Sequence, residues 1–270
     1  MGDFYARTLQ AVPKARNSRG MTVLIALSSH DFDPTEAAVP WQTLRERGHA
    51  VCFATDTGKV GQTDLVMLTG KGLGLFAPML AAQKSARKTY QAMCQDKAFL
   101  NPISYEDIKI EDYDGLILPG GHAKGMIPYL ESKILQDKIA AFFSADKPVG
   151  AICHGVVAAC RARDPKTGKS VLYGRKTTSL LNRQELLAYK LTKAKLGAYF
   201  LTYPGLTVED EVTAALQSPE DFLAGPTPLM RDTSTRLNRG FVVQDGQYLS
   251  ARWPGDAHRF GDAFVNMLAG

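Results

Sequence analysis

Short uninterrupted apolar runs recur along this chain, separated by longer stretches in which apolar residues return every three or four positions. The runs at 21–27, 50–54, 115–118 and 148–152 have strand length and no polar alternation, the pattern of strands covered on both faces. Between them, helical patterns fall at 36–47, 77–98, 130–144 and 155–163. Strands alternating with helices in this way predict a parallel sheet with helices on both faces and right-handed crossovers. The expected fold class is α/β, a three-layer sandwich around a mostly parallel sheet.

Past residue 163 the pattern changes. Val171-Leu172-Tyr173 and Lys176-Thr177-Thr178 read as strands flanking Gly174-Arg175, and a long helical segment follows at 183–201. After Val208 to Leu216 comes a passage with Pro219, Pro226 and Pro228. Gly240-Phe241-Val242-Val243 and Tyr248-Leu249-Ser250 then read as a hairpin turning at Asp245-Gly246, and a helix over 257–268 closes the chain. The organisation is an N-terminal extension of 1–20 and a single domain of 21–270 with insertions near 61–110 and 183–235. Long connections in compact domains usually carry function, so the insertions are expected to wall a pocket, build an oligomer contact, or both.

A chain of 270 residues can bury one large core, and 45% hydrophobic with 22% charged residues is ordinary for a soluble globular protein. The net charge of +5 is spread out. Its local concentrations, Lys14, Arg16 and Arg19, then Lys84, Arg87 and Lys88, read as solvated faces without the aromatic interleaving of a nucleic-acid site. No segment has the apolar length to span a bilayer and no apolar region follows the first residues, so a cytoplasmic protein without a membrane partner is expected. Cys52, Cys94, Cys153 and Cys160 do not resemble a disulfide framework, and neither they nor the five histidines show metal-ligand spacing. Cys153 and Cys160 fall on one predicted helix about 10 Å apart along its axis, too far for a disulfide. No metal is expected.

Chemistry concentrates at Lys147-Pro148-Val149-Gly150-Ala151-Ile152-Cys153-His154-Gly155-Val156-Val157. This reads as a strand, a cysteine at a sharp bend and a helix of small residues, the pattern of a nucleophile elbow. Gly155 permits close strand–helix packing, and the helix N-terminus favours a thiolate. The alternative is a cysteine serving as a small core hydrophobe. A second strand ends in Pro119-Gly120-Gly121-His122, where backbone N–H groups could approach an oxyanion on the same rim. That turn reads equally as a plain glycine turn. Glu36 sits among alanines and valine at the start of a helix, where burial would make it a proton donor or acceptor; it also reads as an ordinary dipole partner.

Together these segments resemble the ThiJ/PfpI superfamily, whose fold is like the class I glutamine amidotransferase domain and flavodoxin-like. The resemblance runs from about Met21 to the C-terminus. It looks closest to the branch of heat-inducible chaperones that are also glutathione-independent glyoxalases. The residues that carry it are Glu36, Gly48-His49-Ala50-Val51-Cys52-Phe53-Ala54-Thr55, Tyr113-Asp114 leading to Gly120-Gly121-His122, and Ala151-Ile152-Cys153-His154-Gly155. The hairpin Asp164-Pro165-Lys166-Thr167-Gly168-Lys169 ahead of Gly174-Arg175-Lys176-Thr177-Thr178 adds to them. The chain departs from the family at Ala123, usually glycine, at Ser179-Leu180-Leu181-Asn182-Arg183-Gln184, and at Trp253-Pro254-Gly255-Asp256, where Asn-Pro-Ala-Ser is more usual. These departures are expected at the pocket and not at the nucleophile.

The resemblance implies a catalytic set of Cys153, His154, Glu36 and Glu185. In it Glu185 orients His154, and Gly120, Gly121 and His122 hold the oxyanion or substrate. It implies a homodimer, no cofactor, and a small-molecule carbonyl substrate: a 2-oxoaldehyde such as methylglyoxal, converted to a 2-hydroxy acid, with a protein-protective role beside it. The alternatives are a cysteine hydrolase of amides or peptides with the same residues, and a holdase chaperone or redox-stress protein in which Cys153 acts only through oxidation. A glutamine amidotransferase fits less well, because the late His258 stands in Asp256-Ala257-His258-Arg259 and not in His-Pro-Glu.

Overall fold

The computed structural model describes residues 20–270. The basic residues Lys14, Arg16 and Arg19, and all of the expected N-terminal extension except Gly20, lie outside them.

Among the described residues nine strands form in chain order: β1 Thr22–Leu27, β2 His30–Phe32, β3 Ala50–Thr55, β4 Gln62–Thr63, β5 Ile103–Ser104, β6 Gly115–Leu118, β7 Val149–Ile152, β8 Val242–Asp245 and β9 Tyr248–Ala251. Seven make one sheet in the order β5-β3-β1-β6-β7-β9-β8, while β2 and β4 pair separately. Every pairing in the large sheet is parallel except the β8–β9 hairpin. The three-layer α/β sandwich is therefore as expected. The chain steps from β1 outward to β3 and β5, then returns to place β6 on the other side of β1. That reversal opens a crevice at the carboxyl ends of β1 and β6, the place where open α/β sheets bind ligands.

The apolar runs are buried as read: Val23 to Leu27, Leu116 to Leu118 and Val149 to Ile152 are all at most 1% exposed, Gly150 apart. On one face the helices Pro34–Glu46, Lys84–Met93 and Ala257–Ala269 pack together; on the other, Gly155–Arg161 packs against Ile127–Glu131, Lys133–Ser144 and Val208–Ala215. Segments 61–110 and 183–235 meet in a smaller apolar cluster of their own, in which Met67, Leu73 and Ala81 join Ala188 and Phe200. Among the described residues no helix is long and apolar enough to cross a membrane.

Several local expectations are corrected. The helical stretch at 77–98 breaks into Ala77–Leu80, Lys84–Met93 and Lys97–Leu100. Ala81 and Gln83 are extended there, and Asp96 caps the last piece through the Ala98 N–H at 2.8 Å. Residues 171–173 and 176–178 are not strands: Gly174 turns the chain at φ 79°, and Thr177 makes only an isolated bridge to Phe222. A strand needs an open sheet edge, and β8 already occupies the edge beside β9. The helix read at 183–201 stops at Leu196, where Gly197 takes φ 57°.

Candidate active site

Cys153 follows β7 at φ 57°, one of only three non-glycine residues with positive φ among those described. Left-handed backbone in a non-glycine residue is strained, and here it turns the chain from strand to helix in a nucleophile elbow. The Cys153 N–H is held by the Ala251 carbonyl at 3.1 Å. Gly155 is required by packing: a Cβ on it would stand 1.9 Å from the Leu118 carbonyl oxygen. The helix begins at Gly155, so Cys153 and Cys160 do not share it as expected. Cys160 faces the core, where burial pushes its thiol up to about 12.

Glu36 is brought to the elbow by a helix start that departs from the usual capping box. Asp33 caps the helix Pro34–Glu46, accepting from the N–H groups of Thr35 at 2.7 Å and Glu36 at 3.0 Å. Glu36 occupies the position from which a carboxylate normally reaches back to the cap N–H. That N–H instead donates to the Gly120 carbonyl at 2.8 Å, and Glu36 turns inward to accept the Gly120 N–H at 2.8 Å. Its carboxyl lies beside the Cys153 thiol, 0% exposed, and its Oε1 has no partner. Burial, reinforced by Asp33, raises Glu36 well above the usual carboxylate range. Gly120 has no room for a side chain, since its Cβ would lie 2.6 Å from the His154 nitrogen and 2.9 Å from Glu36 Oε2. Its N–H is committed to Glu36 and is not an oxyanion donor. A helix-dipole role alone does not account for so enclosed a carboxyl.

His154 is also enclosed, with Nδ1 3.5 Å from the Cys153 sulfur. The elbow thus achieves the fold-back that adjacency in sequence otherwise obstructs. Its Nε2 stands 2.9 Å from Oγ1 of Thr202, which donates its own proton to the His122 carbonyl at 2.7 Å. With that hydroxyl proton committed, Thr202 can only accept from Nε2–H, so the Nδ1 lone pair faces sulfur. Burial holds the imidazole neutral, far below its usual pKa.

The structure does not bring Glu185 to His154. Glu185 is buried in the helix Asn182–Leu196 and accepts the N–H of Val208 at 3.0 Å, at the start of the helix Val208–Ala215. The ring nitrogens of His154 face Cys153 and Thr202 instead, so the group against Nε2 is a neutral hydroxyl. Nothing in the segment Tyr199-Phe200-Leu201-Thr202 marks that hydroxyl in advance. Glu185 still lines the cavity at Cys153, and burial pushes its carboxyl up to about 7.

The Cys153 thiol is raised well above its ordinary value by burial and by the charges of Glu36 and Asp33, against the pull of the His154 N–H. The thiolate expected from the helix N-terminus is therefore not the resting form. A base is needed, and the site holds one. Burial drives His154 down and Glu36 up, so the two sides of the thiol carry a proton acceptor and a proton donor.

In front of Cys153 is a cavity of about 150 Å³. Segments 61–110 and 183–235 both wall it, with Met67, Met79 and Leu80 from the first, and Glu185, Ala188, Phe200, Leu229 and Arg231 from the second. The diverged residues Leu180, Gln184 and Trp253 line it too, beside the retained Pro254, whereas the departure at Ala123 lies outside it. His122 also faces it, 4.6 Å from Phe200 between ring centroids; burial takes its imidazole down to about 4, and Nε2 is unpartnered.

Known proteins resemble the chain at this level. A deglycase of Pyrococcus abyssi is 26% identical over 253 residues, spanning 92% of this chain and 99% of that protein. Glyoxalase 3 of Candida albicans is 25% identical over 217 residues, spanning 70% and 86%. The crystal structure of glyoxalase III from Candida albicans superposes with a TM-score of 0.67 at 21% identity, covering 92% of this chain and 97% of that one, a likeness of fold. Residues 27–226 match the family described as ThiJ/PfpI family-like, and the chain belongs to the ThiJ/PfpI family.

Proposed function

We propose that the protein converts 2-oxoaldehydes to 2-hydroxy acids through Cys153, without glutathione. The observation that carries this reading is the elbow thiol set between a raised carboxyl, Glu36, and a neutral imidazole whose free Nδ1 faces it. Relatives named glyoxalase and deglycase support a carbonyl-directed activity.

His154 Nδ1 takes the thiol proton as sulfur bonds to the aldehyde carbon, and Glu36 protonates the carbonyl oxygen to give a hemithioacetal. The N–H groups of Gly121 and His154 hold the developing oxyanion. Glu36, now a carboxylate, removes the proton on that carbon while the His154 imidazolium protonates the neighbouring oxygen, giving an enediol. Glu36 then delivers its proton to the neighbouring carbon and takes the hydroxyl proton of the first carbon, which becomes the carbonyl of a thioester. The thioester left behind is hydrolysed by water, releasing a 2-hydroxy acid and the thiol. One carbon is oxidised and its neighbour reduced, so no external oxidant enters.

The test is lactate formation from methylglyoxal without glutathione, run beside a panel of amides and esters. Turnover abolished by Cys153→Ala is expected; amide hydrolysis with no oxoaldehyde turnover would overturn the reading in favour of a cysteine hydrolase.

A further inference from the structure

The cavity carries more recognition than a three-carbon oxoaldehyde uses. Most of its lining is apolar, and at about 150 Å³ it has the size that accepts a benzene-sized body. Within that lining Arg231 supplies a full positive charge. Its Nη2 donates to the carbonyls of Met79 at 3.2 Å and Leu80 at 2.9 Å, and its guanidinium lies 5.0 Å from the centre of the Trp253 ring. Its Nε is buried and unpartnered. None of the ion pairs among the described residues includes it; Asp33, Glu36 and Asp232 act on it only from a distance. A cation that is half-buried among apolar groups and lacks a contacting anion is costly to keep.

The backbone holds Arg231 in this position. The next residue, Asp232, accepts the N–H groups of His258 at 3.3 Å and Arg259 at 2.7 Å in the first turn of the helix Ala257–Ala269, and its own N–H donates to the Gly255 carbonyl at 2.7 Å. The buried Arg252–Asp256 pair anchors the same segment by donating to the Pro226 carbonyl at 2.5 Å.

We infer that the substrate of this site is anionic at its far end: a 2-oxoaldehyde whose apolar body terminates in a carboxylate, received by the guanidinium of Arg231. The inference rests on the reading of Cys153 as a carbonyl-directed nucleophile, which fixes the near end. Carboxylate is the fitting anion because a planar guanidinium binds it with directed, charge-assisted hydrogen bonds, while Trp253 and Phe200 provide surface for the body between.

The experiment is calorimetric titration of the protein with 3-phenylpropionate and with its neutral amide, at pH 6, where Glu185 is largely protonated and does not oppose an anion. The acid is expected to bind at least about tenfold more tightly than the amide, the difference expected of one charge-assisted contact. Arg231→Met should erase that preference and Arg231→Lys should keep part of it. Equal binding of acid and amide to the unaltered protein, no binding of either, or a preference that survives in Arg231→Met, overturns the inference. The comparison within the unaltered protein decides it even where the Met variant fails to fold. Because the readout is binding, it separates from the reaction: acid-selective binding without methylglyoxal turnover sinks the proposed reaction alone, and methylglyoxal turnover with equal binding sinks the anionic far end alone.

Discussion

Thr202 and His154 form a donor–acceptor relay with one permitted direction. The threonine hydroxyl spends its proton on the His122 carbonyl at 2.7 Å and therefore accepts the Nε2–H of His154 at 2.9 Å. A neutral hydroxyl fixes the tautomer as a carboxylate would, but it stabilises the imidazolium less once His154 has taken the thiol proton. Base and sulfur are thus aligned, with a smaller electrostatic contribution than a carboxylate gives.

Thr202→Val keeps the shape of the side chain and removes the acceptor. Turnover of methylglyoxal should fall by about tenfold or more, with KM little changed, because the loss falls on proton transfer. Thr202→Ser should restore most of it. A valine variant as active as the parent would show that His154 does not depend on this contact.

Glu36→Gln tests the donor side. The glutamine oxygen can still accept the Gly120 N–H, so melting temperature should change little while turnover drops by about 10²-fold or more. Loss of folding together with activity would mean that Glu36 chiefly supports the Gly120 turn.

Cys153 carries an expectation about alkylation. A thiolate held by the helix N-terminus would react with iodoacetamide at a rate already level near neutral pH. The enclosed thiol described here, raised by burial, Glu36 and Asp33, should gain rate as pH climbs past the ordinary thiol pKa of about 8.5. A rate that is flat from pH 7 upward would contradict the raised thiol.

The parts of the site that were legible in the sequence are those made by local backbone. A strand, a cysteine and Gly155 specify the elbow, and the Gly120-Gly121 turn follows from its own composition, because the constraint on each lies within a few residues. The β8–β9 hairpin was legible for the same reason, through Asp245-Gly246. What sequence reasoning missed is set by contacts across long separations. Thr202 lies 48 residues beyond His154, and Arg231 is placed by Asp232 binding a helix start 26 and 27 residues on. Counting through a diverged segment brought Glu185 to the cavity but not to His154. Residues 171–178 have strand composition, yet the sheet edge they would need is taken by β8.

Glu185 offers the sharpest test of that correction. Burial raises its carboxyl from 4.5 to about 7. Between those values the folded protein retains a proton that the unfolded chain has released, so this group's effect on stability becomes less favourable as pH rises through the window and is constant above it. Glutamine has no such proton to lose. The stability of Glu185→Gln relative to the parent should therefore improve between pH 5 and pH 8, by at most about 3 kcal/mol if the whole shift is expressed. Turnover should stay within about threefold of the parent with the acid limb of its pH profile unmoved, since the carboxyl binds Val208 and not the imidazole. Denaturant unfolding at the two pH values checks the first expectation: an equal stability difference at both would show that Glu185 is not held protonated. The rate profile checks the second, and a collapse of turnover with a displaced acid limb would return Glu185 to the catalytic set in place of Thr202.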